Sequence, residues 1–338
     1  MANTRQDRAA GAVMGALIGD ALGLGCHWYY DIALLRRDCG PWVDDYRDQN
    51  AERTDRFGEI ARYRHGQGLR AGDLSQTGQM IAGLLDSVAD RGGYDDADYT
   101  SRLDELFETL DGSAMSGRFT DWAVRDTWAN RKEGKPWGEA GSRADTSEAA
   151  SRATVLAARY AGDKLTLARH LHANIRLTHA GDYIAGHSYA FAMVVAALVE
   201  GTEPADLGDR MPELFRDPTT GPLFPSFDIA DQAKDPTRAL DIAINPVDVP
   251  RLLGLACTIG FLVPAAYYFL HRFPDDFERA VLTAVNSGGN NMARATLTGA
   301  LVGAHVGLSG IPERFIDGLT DGCRHANLAS RVGSALEY

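Results

Sequence analysis

The sequence lacks a basic excess. Its 338 residues carry 34 Lys plus Arg against 46 Asp plus Glu, a formal charge of −12. Without a basic stripe the phosphate-neutralising contribution to nucleic-acid binding is missing, so no nucleic-acid partner is expected. Cysteine is scarce: Cys26, Cys39, Cys257 and Cys323 form no C-x-x-C pair and have no histidine at zinc spacing. That pattern predicts reduced thiols in a cytoplasmic protein. The apolar stretch after Arg5 and Arg8 is interrupted by Asp20 and is followed by no small-residue cleavage site, and nothing else approaches a charge-free span of about 20 residues, so no membrane partner is expected. There is no β-branched alternation with hairpin turns. Absent too are G-x-x-x-x-G-K-[ST], G-x-S-x-G and a strand before the first glycines, which excludes phosphate-loop, nucleophile-elbow and dinucleotide folds. A small-molecule ligand remains as the expected partner, with a homo-oligomer left open.

Small residues are abundant. The chain has 36 Gly and 49 Ala, a quarter of its length, while its 45% apolar and 24% charged fractions are ordinary for a globular protein. Apolar positions recur at three and four residues, predicting helices over about 5–24, 76–90, 97–110, 117–132, 145–161, 163–178, 183–200, 247–272, 275–286, 291–307 and 312–337. Asp145-Thr146-Ser147-Glu148, Gly162-Asp163 and Gly181-Asp182 punctuate helix boundaries. Pro264 is expected to kink its helix. Long loops fall at 31–72 and 202–246, the second rich in proline. The expectation is an all-α, compact single domain over 1–338, an orthogonal helical bundle with a Pro-rich insertion at 202–246.

Gly11, Gly15, Gly19 and Gly23 repeat every four residues on one face of the first helix, and Gly299, Gly303 and Gly307 repeat the pattern near the other end of the chain. Each glycine inside a helix costs about 1 kcal/mol relative to alanine. A close backbone approach between two thin helices is the expected compensation.

Three stretches gather polar residues at helix ends: Gly19 to Asp31, Gly72 to Met80, and Asn286 to Arg294. Helix N-termini present free N–H groups, so two that face each other would make a site for an oxygen-rich ligand. G-A-V-M-G-A-L-I-G-D-A-L-G, then S-Q-T-G-Q-M, then N-S-G-G-N-N-M-A-R-A-T-L-T-G-A-L-V-G-A resemble the ADP-ribosylglycohydrolase family, which also contains J1-type crystallins. The resemblance spans almost the whole chain and implies an all-α fold with a central cleft. Family enzymes bind two Mg²⁺ or Mn²⁺ ions through a T-D-D-T helix start and a G-G-D-T-D-T turn. Here those stretches read Ser75-Gln76-Thr77-Gly78 and Gly288-Gly289-Asn290-Asn291-Met292-Ala293. Hard cations need anionic oxygens, so the family metal site is expected to be lost and no cofactor is expected.

An acidic residue that often follows G-D-A-L-G in the family is replaced by His27, a candidate general base toward water or acid toward a leaving nitrogen. Asp73 is the second candidate for acid–base work, although it also reads as a cap. The candidate substrate-binding residues are Asp20, Trp28, Tyr30, Asp31, Gln76, Thr77, Gln79, His179, Asn290, Asn291 and Arg294. Of these, Gln76, Thr77, Asn290 and Asn291 would hydrogen-bond ligand hydroxyls in place of the metals, Arg294 would hold an anionic group or pair with Asp20 or Asp73, and the aromatics would stack a planar ring. His179 belongs to a T-H pair common in the family, with His187 in the next helix. A thiol role for Cys26 beside His27 is disfavoured, because adjacent side chains rarely point at each other.

The resemblance implies a divergent, metal-independent hydrolase of an N-linked ribosyl or nucleoside-like small molecule. Two alternatives stand beside it: a catalytically silent ligand-binding or crystallin-like protein, favoured by the apolar Met292 and Ala293, and a hydrolase of a non-ribosyl amide or amidine.

Overall fold

The computed structural model describes residues 4–113, 118, 122–210, 223 and 244–334. Among them the chain is helical, with no strand beyond two isolated bridges, Tyr29 to Gly289 and Ser142 to His179. The helices are α1 (Arg5–Leu24), α2 (Ile32–Cys39), α3 (Gly58–Gly66), α4 (Gln76–Arg91), α5 (Asp96–Glu108), α6 (Trp122–Lys132), α7 (Glu148–Tyr160), α8 (Lys164–Arg176), α9 (Asp182–Val199), α10 (Val249–Leu253), α11 (Ile259–Arg272), α12 (Phe277–Asn286), α13 (Asn291–Val306), α14 (Glu313–Gly318) and α15 (Gly322–Gly333).

The glycine ladder does what its spacing predicts. A Cβ added at Gly11, Gly15 or Gly19 would lie 2.2, 2.0 or 2.1 Å from the carbonyl oxygens of Gly303, Gly299 and Ala295, and one at Gly23 would lie 2.3 Å from Met292 Cα. As the α1 number rises the α13 number falls, so the two helices run antiparallel with backbones in contact. Every residue of α1 from Ala9 to Leu24 is buried. The chain's thinnest pair of helices is therefore its axis.

Three further helices run against α1. Arg8 Nε donates to Val199 O (2.8 Å) and Arg5 pairs with Glu200, which puts the C-terminus of α9 beside the N-terminus of α1. Gly162, just past α7, lies against the Arg5 guanidinium. Arg159 of α7 reaches Gly92 O at the C-terminus of α4 (2.7 Å). The N-termini of α4, α7, α9 and α13 are thereby gathered at the end where α1 finishes, in Asp20 and the turn carrying His27.

The long 31–72 loop contains α2 and α3, which the periodicity reading missed because each is short and mostly polar. The 247–272 helix divides into α10 and α11 at Gly254 (φ +130°), whereas Pro264 sits inside α11. The 312–337 helix likewise divides: α14 ends at Gly318, and Asp321, with φ +58°, is the residue from which α15 starts. At α7, Ser147 occupies the cap position without making the side-chain bond expected of it, while Asp163 caps α8 as expected. Helix α9 is apolar and long enough to cross a membrane by composition, but its sides are taken up by the core. Most of the Pro-rich 202–246 insertion lies outside the described residues, as do 117 and 119–121 of the expected 117–132 helix. None of the four cysteines is in a disulfide.

Candidate functional site

The site begins where α1 ends. Trp28 N donates to Gly289 O (3.1 Å) and Gly289 N donates back to Tyr29 O (2.7 Å), clasping the residues after α1 to the Gly288-Gly289 turn before α13. Both glycines have positive φ, +70° and +64°, and a Cβ on Gly288 would meet Tyr29 O at 2.6 Å. Only glycine fits this clasp. It sets His27 beside Asn291.

His27 is 2% exposed. Its Nδ1 lies 3.1 Å from Asn291 Oδ1, while Asn291 Nδ2 donates to Cys26 O (3.1 Å) and Val285 O (3.2 Å). Those acceptors fix which way the amide faces, so Nδ1 carries the hydrogen and Nε2 is a bare lone pair. No hydrogen-bond partner meets Nε2. Burial, joined by the charges of Arg64, Arg53 and Arg294, outweighs the Asn291 bond and holds the imidazole well below its ordinary range. His27 therefore offers a lone pair rather than a proton. Asn291 has no group left for a ligand; it orients His27. The neighbouring Cys26 thiol is pushed up by burial, which removes it as a nucleophile.

Asp20 is fully buried and is committed to α4. It accepts from Ser75 N (2.7 Å) and Ser75 Oγ (2.5 Å), and a Cβ on Gly78 would lie 2.3 Å from its Oδ1. Burial raises its pKa to about 6 against the bonds from Ser75 and Gly78. Asp73 is committed as well, its oxygens accepting from Arg70 N (2.9 Å) and Thr320 Oγ1 (2.8 Å). Arg118 stands 3.8 Å away. Gln76 and Thr77 are buried on the first turn of α4, and Gln76 Oε1 has no partner. Gln79 is half-buried one turn on.

Asn290 is fully buried with neither its oxygen nor its nitrogen partnered, while its backbone N–H donates to Leu255 O (2.8 Å). Arg294 does not pair with Asp20 or Asp73. Its Nε and Nη2 bond Ala284 O, and Nη2 also bonds Gly288 O, so it caps α12 and props the Gly-Gly turn; Nη1 is left without a partner. Trp28, at φ +64°, is buried between His27 (ring centroids 4.4 Å) and Phe57 (5.2 Å). Tyr30 is 36% exposed and stacks on Phe57 (5.9 Å). Asp31 is an exposed cap, accepting from Ala33 N (2.8 Å) at the start of α2.

The 255–259 loop carries the site across to α7, since Leu255 O receives Asn290 N at one end and Ile259 N donates to Asp145 O at the other. There Glu148, 2% exposed, receives the Thr146 hydroxyl on Oε2, and His179 Nε2 lies 3.5 Å from the same oxygen. On the other side of its ring His179 Nδ1 meets Thr178 Oγ1 (2.9 Å). His187, on α9, is buried with both ring nitrogens unpartnered, and burial lowers its pKa to about 4.

Glu148 and Arg53 are not among the candidate site residues that the sequence offers. Glu148 reads in sequence as the acidic first turn of a helix. Arg53 lies in what reads as a loop, yet it bonds His27 O (2.7 Å), Trp28 O (2.8 Å) and Asp55, with its guanidinium 3.7 Å from the Tyr29 ring. Four donors spent on two carbonyls and a carboxylate hold the His27 turn in place. No local pattern announces such a bond.

Residues 1–337 match the model of the ADP-ribosylglycohydrolase family. The chain belongs to the ADP-ribosylglycohydrolase family. Among solved structures this family member is similar to an ADP-ribosylglycohydrolase-related protein complex, with a TM-score of 0.68 and 21% identity over 97% of this chain and 98% of that one. It is 25% identical to an uncharacterised protein of Archaeoglobus fulgidus, over 94% of this chain and 92% of that protein. It is 23% identical to crystallin J1A of the jellyfish Tripedalia cystophora, over 98% of both. Family membership suggests an ADP-ribosylglycohydrolase-like hydrolase.

Proposed function

We propose that this family member is a metal-independent hydrolase of an N-linked ribosyl or nucleoside-like small molecule, with His27 as general base. The observation that carries the reading is the bare, buried Nε2 of His27, locked in its tautomer by Asn291. Nε2 takes a proton from water, the water oxygen bonds to the anomeric carbon, and the C–N bond breaks with its electron pair leaving on nitrogen, which takes the proton from the His27 imidazolium and restores the base. Gln76 Oε1 and both ends of the Asn290 amide, buried and unpartnered, suit ribose hydroxyls, which are donors and acceptors alike.

The donors at the family's metal positions do not fit a pair of hard divalent cations. Ser75, Gln76, Thr77, Asn290 and Asn291 are neutral, and the nearby carboxylates are committed, Asp20 to Ser75 and Gly78 and Asp73 to Arg70 N and Thr320. Among the described residues no three His, Cys, Asp or Glu side chains are grouped as a cation site would need.

Turnover of ADP-ribosyl N-glycosides, followed by mass spectrometry with and without chelator, tests the reading. Chelator should change nothing, and His27→Ala should lose at least a hundredfold in turnover while remaining folded by far-UV circular dichroism. Stimulation by Mg²⁺ or Mn²⁺, or full activity in His27→Ala, defeats the proposal. A second reading, a silent crystallin-like protein, is favoured by Met292, buried and apolar beside Asn291, and by the likeness to crystallin J1A. Wild-type protein inert toward every ribosyl substrate would select it.

A further inference from the structure

A chain of hydrogen bonds runs through the buried end of α7 and stops at an empty acceptor. Arg152 is fully buried; its Nε donates to Asn174 Oδ1 (2.9 Å) and its Nη2 to Thr178 Oγ1 (3.0 Å). Having accepted from a cation that only donates, the Thr178 hydroxyl is free to give its own hydrogen to His179 Nδ1, 2.9 Å away. The His179 hydrogen then sits on Nε2, which faces Thr146 Oγ1 at 3.3 Å, and Thr146 Oγ1 in turn donates to Glu148 Oε2. Every link points the same way, from guanidinium to carboxylate. At the far end Glu148 Oε1 is buried with no partner, and the adjacent Ser147 Oγ, on a residue 1% exposed, has none either.

A carboxylate oxygen left bare in the interior forgoes a hydrogen bond that water would have supplied. The relay delivers its last hydrogen to Oε2 and directs no donor at Oε1. The charge, by contrast, is already compensated: Glu148 lies in the first turn of α7, where the helix N-terminus favours an anion, and Arg152 terminates the relay with its own positive charge. The unpartnered oxygen therefore suits a neutral hydrogen-bond donor rather than a cation.

We propose that Glu148 Oε1 and Ser147 Oγ form a binding position for a neutral hydrogen-bond donor, a hydroxyl or an amide N–H, and that His179 and Thr146 are positioning residues that hold Glu148 for it. The position lies at the same end of the bundle as His27, across the 255–259 loop, but its evidence is independent of His27 and of any turnover.

The test uses the full-length protein with its histidines labelled with ¹⁵N, and follows the His179 ring signals during titration. The probes are D-ribose and nicotinamide as neutral donors, methylguanidinium as a cation and inorganic phosphate as an anion. Saturable shifts are expected with a neutral donor, with Kd raised at least tenfold in Glu148→Gln, which keeps the volume but gives Oε2's donors an amide to meet. Thr146→Val, which cuts the relay one step earlier, should weaken the same probe while leaving a folded spectrum. The response should persist in His27→Ala, so that failure of the general-base reading leaves it standing. An unchanged Kd in Glu148→Gln, shifts with phosphate or methylguanidinium alone, or no saturable shift with any probe overturns the proposal.

Discussion

Asn291 holds His27 in a single tautomer: the amide donates to Cys26 O and Val285 O, so its oxygen can only receive the hydrogen of His27 Nδ1. Asn291→Leu removes that receiver while keeping comparable bulk. The expected outcome is loss of about 1 to 3 kcal/mol of stability from the groups left unpaired and loss of most turnover, with His27 sampling both tautomers. Ring nitrogen shifts of His27 measured by NMR distinguish this from simple unfolding, since the wild type should show one protonated nitrogen and the variant an average.

The pH profile follows from the direction of the His27 shift. With its pKa well below the ordinary range, turnover should be level from pH 6.5 to 8 and fall only in acid, when Nε2 takes a proton. A bell-shaped profile centred on neutrality would contradict a base already free of its proton. The same shift makes folding acid-sensitive. Unfolded histidine binds a proton near pH 6.5 and buried His27 and His187 do not, so they destabilise the fold as pH drops below that value.

Asp20 works in the opposite sense. Its folded pKa of about 6 against an unfolded value of 3.8 means that its favourable contribution is complete below 3.8 and is lost as pH rises through 6. The difference corresponds to about 3 kcal/mol. Urea unfolding at pH 5 and pH 8 should show Asp20→Asn lacking this dependence, with the residual slope belonging to the histidines. An unaltered slope in the variant would show that the carboxylate is ionised throughout.

Asn290 separates stability from function. Both ends of its buried amide are unpartnered, so Asn290→Ala should be neutral or stabilising in thermal unfolding while weakening ribosyl ligands at least tenfold, as expected where a polar group serves the ligand and not the fold. Equal losses in both measurements would mark it as structural.

The glycines supply a paired contrast. At Gly15 an added Cβ would sit 2.0 Å from Gly299 O, whereas at Gly83, inside α4, it would meet nothing within 4 Å. Gly83→Ala should raise stability by up to about 1 kcal/mol. Gly15→Ala should force α1 and α13 apart and cost more than 3 kcal/mol, or prevent folding; a mild effect would mean that the two backbones are not in contact.

The axis of the fold was legible because a four-residue glycine repeat has one inexpensive explanation, a close helix pair, and the repeat occurs twice. His27, Gln76 and Asn290 were legible because they stand in polar stretches at helix ends. What sequence could not show was commitment. Asp20, Asp73 and Asn291 look in sequence like free polar groups, and each is filled by a partner distant along the chain: Ser75, Thr320 and Cys26. Arg294 was expected to meet an anion and meets backbone carbonyls instead. Glu148 was hidden for a similar reason, since its relay joins residues 146, 148, 152, 178 and 179, which no periodicity connects.

The gathering of four helix N-termini at one end of α1 bears on the surroundings of His27. Each N-terminus contributes about half a positive charge, an environment that family carboxylates and cations would together balance. Carboxylates answer this at α4, where Asp20 accepts from Ser75 N, and in the first turns of α7 and α9, which hold Glu148 and Asp182, whereas the first turn of α13 beside His27 holds no acidic residue. In a strongly acidic chain this leaves the start of α13 as a local positive end toward which an anionic solute would be drawn.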